Sequence, residues 1–158
     1  MEVTVMTGDV LTVELEGMFH AVLCDPPYEL GFMGKDWDKS GIAFDPETWR
    51  KISEHLYPGA FIMAFASSRG WHRLACAIED AGFVIHPTIF GWAFGSGFPK
   101  ATRIDTQIDK AGAATELAKA WVGHRYGLQA MKPAVEPIIV AQKPYKGKPV
   151  TCITKTGA

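Results

Sequence analysis

The chain has only three cysteines in 158 residues, Cys24, Cys76 and Cys152. Their number is odd and their spacing is not that of a metal knuckle. They read as reduced thiols in a cytosolic protein rather than as a disulfide framework or a zinc site. Long apolar runs are lacking too. None approaches the roughly 20 residues of a membrane span, and the acidic start is not that of a signal peptide, so no membrane partner is expected. Of the five histidines, no two stand four apart beside a carboxylate, and a metal is not expected. No serine, histidine and aspartate fall around a nucleophile elbow, which leaves hydrolase chemistry unsupported. Gly95-Ser96-Gly97-Phe98-Pro99-Lys100 lacks the spacing and the Gly-Lys-Ser/Thr ending of a phosphate loop.

What is present belongs to one ordinary globular domain. Apolar residues make up 47% and charged residues 21%, which argues against disorder. A chain of this length buries roughly two thirds of its unfolded surface. The net charge of −1 hides an asymmetry: residues 1–98 carry 6 Lys and Arg against 13 Asp and Glu, whereas residues 99–158 carry 10 against 4. A polyanionic partner would be held by the C-terminal part, although Lys146, Lys148 and Lys155 suit a solvated basic surface equally well.

Asp25-Pro26-Pro27-Tyr28 follows the apolar run Ala21-Val22-Leu23-Cys24 directly. A short buried strand would deliver these residues at its C-terminal end, where open α/β sheets hold their ligands. Two prolines fix φ twice and remove two N–H donors. The turn then offers only acceptors: the Asp25 carboxylate and the Pro26 and Pro27 carbonyls. Tyr28 adds an aromatic face. A flat substrate bearing an NH2 group, such as a flipped nucleobase, suits such a site. The plainer reading is that Asp-Pro-Pro simply ends a strand.

Here the chain resembles the amino-methylating DNA methyltransferases, which use S-adenosylmethionine and carry an Asp-Pro-Pro-Tyr motif at a strand end. The likeness is greatest to phage- and prophage-type members, some of which serve restriction–modification. It extends to Gly8-Asp9-Val10-Leu11, to the stretch from Trp71 to Phe83, to the Gly95–Lys100 segment and to Lys132-Pro133-Ala134-Val135-Glu136-Pro137-Ile138-Ile139-Val140. The resemblance implies a Rossmann-like α/β methyltransferase sheet, mostly parallel, with helices on both faces. It implies catalytic roles for Asp25, Pro26, Pro27 and Tyr28, and cofactor contacts for Asp9, Val10 and Asp25. It also implies DNA as partner, S-adenosylmethionine as cofactor, and a cytoplasmic setting in a bacterial or phage-infected cell. Asp at the first motif position goes mostly with adenine N6 in that family, and Ser with cytosine N4, so adenine is expected and cytosine N4 is the alternative.

Periodicity places the elements. Val3–Thr7 alternates like a short strand, and Ala21–Cys24 is apolar enough for a strand covered on both faces. The loop from Glu29 to Phe44 is too long for an ordinary connection. Its Phe32, Met33 and Trp37 either close over a base or pin the loop to the core. Asp45-Pro46-Glu47 starts a helix with a Trp49, Ile52, Leu56 stripe, stopped by Pro58-Gly59. Ala60–Ala66 is a strand. Ser67 or Ser68 caps the next helix, which buries Trp71, Leu74, Ala75 and Ile78 and ends at Gly82. Phe83–Phe94 reads as a strand with an edge or bulge at Pro87. Thr102–Trp121 reads as a helix weakened at Gly112, the stretch around His124–Gly127 as loop, and Pro137–Gln142 as the last strand. The expected organisation is a catalytic domain over 1–145 with a small DNA-contacting insertion at about 95–132, then a basic tail, 146–158, without a helix. Lys100, Arg103, Arg125 and Lys132 are the expected phosphate contacts.

One departure from the family pattern matters. Its second, Gly-rich strand end, which binds the methionine part of the cofactor, is absent, and about five strands can be read where the family has about seven. A sheet edge beside Asp25 would be left unpaired. A homodimer or a second subunit carrying that element is therefore expected, unless Val3–Thr7 covers the edge or the sequence is a fragment. Besides an enzyme, the residues allow a catalytically silent DNA-binding half-domain.

Overall fold

The strand that carries Asp25 is short and lies at a sheet edge, in a computed structural model that describes residues 3–31, 36–97, 101–112, 115–127, 131 and 133–158. The elements run β1 (Phe19–Cys24), α1 (Pro46–Glu54), β2 (Leu56–Phe65), α2 (Trp71–Asp80), β3 (Val84–Ile85), β4 (Phe90–Ala93) and β5 (Thr102–Arg103). Then follow α3 (Ile104–Lys110), α4 (Thr115–Ala120), β6 (Arg125–Tyr126), β7 (Val135–Gln142) and α5 (Pro149–Thr156). Two compact units form, Met1–Trp92 with Glu136–Ala158, and Ala93–Val135.

In the first unit the strand order is β1-β2-β7-β3, with β4 also on β7. β1 and β2 are parallel, and β7 runs antiparallel to both β2 and β3. Thus β1, β2 and β3 share one direction and β7 opposes them. Ile62 opposite Ala141 and Ala64 opposite Ile139 put one face of the sheet against Trp49 of α1 and Leu74 and Ile78 of α2. The opposite face is the less covered one. Phe61 and Met63 are 41% and 38% exposed there, and Leu23, opposite Met63, is 71% exposed. The run Ala21-Val22-Leu23-Cys24 has no alternation to reveal this, because its outward residues are as apolar as its inward ones.

Val3–Thr7 forms no strand. Val3 and Val5 are 71% and 88% exposed, and β1 has β2 as its one neighbour among the described residues. Asp45 caps α1 as expected, its Oδ1 accepting from Glu47 N at 2.9 Å. The helix ends before Leu56, which is fully buried in β2 instead. Lys143 Nζ donates to Ser53 O at 2.6 Å and Leu56 O at 2.8 Å, satisfying carbonyls at the helix end. Pro58-Gly59, expected to stop a helix, lie inside β2. Gly59 has φ +93°, and a Cβ on it would lie 2.8 Å from Cys152 Sγ; only glycine admits α5 there.

The expected strand Phe83–Phe94 is broken into β3 and β4 around Pro87. The segment expected to be a basic tail without a helix forms α5, whose Cys152 is buried and donates to Pro58 O at 3.2 Å. Within the second unit, the helix expected over Thr102–Trp121 is divided. Thr102 and Arg103 pair with Tyr126 and Arg125 as an antiparallel ribbon, and α3 ends at a left-handed Gly112 (φ +71°). No helix among the described residues is long and apolar enough to cross a membrane.

Candidate active site at the end of β1

Three strands bring the site together. Cys24 stands opposite Ala64, and Ala64 opposite Ile139. The C-terminal ends of β1 and β2 therefore meet the N-terminal end of β7. Ala66 N donates to Pro137 O at 2.9 Å, which fixes Glu136 at the same end. Asp25 is exposed, while Pro26, Pro27, Tyr28 and Glu136 are half-buried. Pro27 and Tyr28 line an open hollow of about 180 Å3 with Ala43, Phe44, Phe65, Ala66, Ser67, Gly70 and Leu74. Gly70 packs close to this wall: a Cβ there would stand 3.1 Å from the Phe44 ring, which would have to give way, and 3.6 Å from Tyr28 O.

The Asp25 and Glu136 carboxylates stand near enough to act on the Tyr28 hydroxyl electrostatically. Burial, then Asp25, then Glu136 push its pKa well above the ordinary phenol value, so it remains a neutral donor. Just behind it, burial and the Asp25 charge push the Cys24 thiol up to about 12. The site therefore combines acceptors with one firmly protonated donor. It can receive an NH2 group at Asp25 and an aromatic ring at Tyr28.

Glu29, next in sequence, adopts φ +55°, a conformation that costs about 1–2 kcal/mol outside glycine. Its carboxylate offsets this by accepting from Gly41 N at 2.9 Å and Ser40 Oγ at 3.3 Å. Together with Gly31 N donating to Asp38 O at 3.0 Å, it closes the base of the loop after the motif. Phe32 and Met33 lie outside the described residues. Trp37 is 59% exposed and does not pin the loop.

Asp9 serves its own turn: Oδ1 accepts from Leu11 N at 2.8 Å, and its carbonyl accepts from Thr12 N and Val13 N. Val10 is 42% exposed. No described hydrogen bond joins either to Asp25. Lys100 and Lys132 lie outside the described residues. Arg103 and Arg125 face each other across the β5–β6 ribbon. Arg103 is held by Asp105 through two bonds, at 2.5 and 3.2 Å, which keeps its pKa raised and that of Asp105 lowered. Arg125 donates to Ala101 O at 3.1 Å. Among the described residues no cluster of His, Cys, Asp and Glu could hold a metal.

Glu136 is the site residue that the sequence did not reveal. Its signal was a carboxylate before Pro137 at the start of a strand, within a segment noted only for its family likeness.

The S-adenosylmethionine expected from the resemblance can be tested against this geometry. The hollow beside Tyr28 is open and lined mostly by apolar residues, and the Asp9 carboxylate is already engaged by Leu11 N. The described residues do not form a cofactor cradle by themselves.

No family model matches the chain. Over 91 residues, 58% of its length, it is 32% identical to the type II methyltransferase M.HindIII of Haemophilus influenzae, and it spans 28% of that protein. Among solved structures, a protein of Thermus thermophilus named as a DNA modification methylase matches 88% of this chain and 50% of its own, at 14% identity and a TM-score of 0.51. M1.HpyAVI in complex with SAM matches 83% and 46%, at 18% identity and a TM-score of 0.46. The chain is thus homologous to part of a DNA methyltransferase, shares its α/β fold with the Thermus thermophilus protein, and spans half or less of each.

Proposed function

We propose that this relative of the DNA methyltransferases is the base-binding, amine-polarising part of an S-adenosylmethionine-dependent enzyme that methylates N6 of a flipped adenine in DNA. The observation that carries it is the acceptor-only turn Asp25-Pro26-Pro27 at the end of a parallel strand, with the Tyr28 ring beside it. An exocyclic amine is a poor nucleophile because its lone pair is delocalised into the ring. Hydrogen bonds from that amine to the Asp25 carboxylate and the Pro26 carbonyl draw the nitrogen toward tetrahedral geometry and localise the lone pair. Tyr28 stacks on the ring and orients it. The proton can leave after the methyl group has arrived, so no histidine base is needed. Adenine is chosen over cytosine on the aspartate at the first motif position alone.

Further polypeptide supplies the cofactor cradle. The free edge of β1 and the apolar face of Leu23, Phe61 and Met63 suit a second copy or a second subunit carrying the Gly-rich element. Lys100, Arg103, Arg125 and Lys132 contact DNA phosphates. The test is transfer of a tritiated methyl group to adenine-containing DNA by the wild type and by Asp25→Ala. The variant should lose transfer while keeping DNA affinity. A residual rate above about a tenth of wild type, less than roughly 1.4 kcal/mol of barrier, would remove Asp25 from the chemistry.

A further inference from the structure

Glu29 follows Tyr28 directly and is, among the described residues, the one non-glycine residue with positive φ. Glycine or asparagine adopts a left-handed backbone at less cost, so the turn alone does not call for glutamate. Its side chain reaches across the loop instead. One carboxylate oxygen accepts from Gly41 N at 2.9 Å and the other from Ser40 Oγ at 3.3 Å. Ser40 Oγ in turn accepts from Ile42 N at 3.4 Å. Gly41 is where the 3-10 turn Ile42–Phe44 starts, and Phe44 N donates to Gly41 O at 3.0 Å. Ala43 and Phe44 of that turn line the hollow together with Pro27 and Tyr28.

The carboxylate thus ties the backbone on one side of Tyr28 to the start of the turn that carries Phe44. On the other side, Pro26 and Pro27 fix φ. Tyr28 is held between a rigid dipeptide and a clasped residue. We propose that Glu29 is a positioning residue: its carboxylate sets the separation of Tyr28 from Phe44, and with it the width of the hollow that a flat ring enters. That this ring is an extruded base rests on the function proposed above; the clasp does not. Glu29 itself makes no contact with substrate. It acts through geometry, where a misplacement of about 1 Å costs on the order of a hundredfold in rate.

Three variants separate this role from a merely structural one. Glu29→Gln keeps an acceptor for Gly41 N and a partner for Ser40 Oγ, so its kcat should stay within about threefold of wild type. Glu29→Ala loses both bonds and keeps the strained φ. Glu29→Gly loses both bonds but relieves the strain, so it should be the more stable of the two in urea. Both should nevertheless lower kcat for methyl transfer at least about tenfold and leave KM for DNA within about twofold. Both should also speed amide hydrogen exchange at Gly41 and Phe44 at least about tenfold, read by NMR on the whole chain. Activity that simply follows stability, with Glu29→Gly close to wild type, overturns the inference. So does a Glu29→Gln variant as poor as Glu29→Ala, or unchanged exchange at Phe44 where Gly41 is released. If the wild type transfers no methyl group, the proposed function falls, and exchange at Gly41 and Phe44 alone decides the clasp.

Discussion

Replacing Trp49 with phenylalanine tests how the core shapes the site. Trp49 is 1% exposed, and its Nε1 donates to Ala43 O at 2.9 Å. That bond holds the 3-10 turn Ile42–Phe44, whose Ala43 and Phe44 line the hollow beside Tyr28. Trp49→Phe leaves a buried carbonyl without its donor, at about 1–3 kcal/mol. The smaller ring opens a cavity where complete truncation would cost about 3–5 kcal/mol, so roughly 1–2 kcal/mol is added. The expected total is about 2–4 kcal/mol, a large part of the roughly 5–15 kcal/mol of a typical domain. Urea unfolding followed by far-UV circular dichroism, at constant m-value, measures it. Binding of DNA with an extruded target base should weaken in the same variant, since Phe44 loses its backing. A loss under about 1 kcal/mol would mean that the indole bond is absent in solution and that the wall of the hollow is held by something else.

Four further outcomes are expected. With its thiol pushed up to about 12, Cys24 should resist a disulfide reagent at pH 8 while exposed Cys76 reacts; equal labelling would refute the burial. Cys24 keeps its proton longer when folded than when unfolded, so its contribution to stability is full below about pH 9 and is lost as pH rises toward 12; Cys24→Ala should flatten that fall in urea midpoints. Asp105→Asn should release Arg103 and steepen the slope of log DNA affinity against log salt by about one, whereas an unchanged slope would put Arg103 away from phosphate. Light scattering at micromolar concentration should find active protein only as a dimer or a complex, and a fully active monomer would refute the need for a partner.

The parts of the fold that sequence made legible are those set by local chemistry. Asp45-Pro46 caps α1 because a carboxylate and a fixed φ suffice, and Gly82 (φ +98°) ends α2 because few other residues adopt that conformation. The acceptor-only turn Asp25-Pro26-Pro27 was legible for the same reason. What stayed hidden was decided at a distance. Val3–Thr7 has a strand's alternation but no strand to pair with, and alternation alone does not form a ladder. The direction of β7 leaves no trace in its own residues. Thr102–Trp121 has helical spacing throughout, yet its first residues gain more from pairing with Arg125 and Tyr126. Glu136 enters the site only because β7 is antiparallel, so no reading of its neighbours could reach Tyr28.

The strand that delivers Asp25 is also an edge strand among the described residues, and a single physical requirement joins the two. Asp25 is exposed, and in water a carboxylate is already satisfied. A hydrogen bond exchanged with solvent nets only about 0.5–1.5 kcal/mol, too little to localise an amine lone pair that resonance holds in the ring. The same bond becomes far stronger where water is excluded. The open hollow beside Tyr28 does not provide that exclusion. Polypeptide laid along β1 would, and it would cover Leu23 at the same time. On the proposed function, then, assembly does more than supply a cofactor cradle: it dries the carboxylate. Activity should therefore rise with the fraction assembled, even where cofactor is saturating.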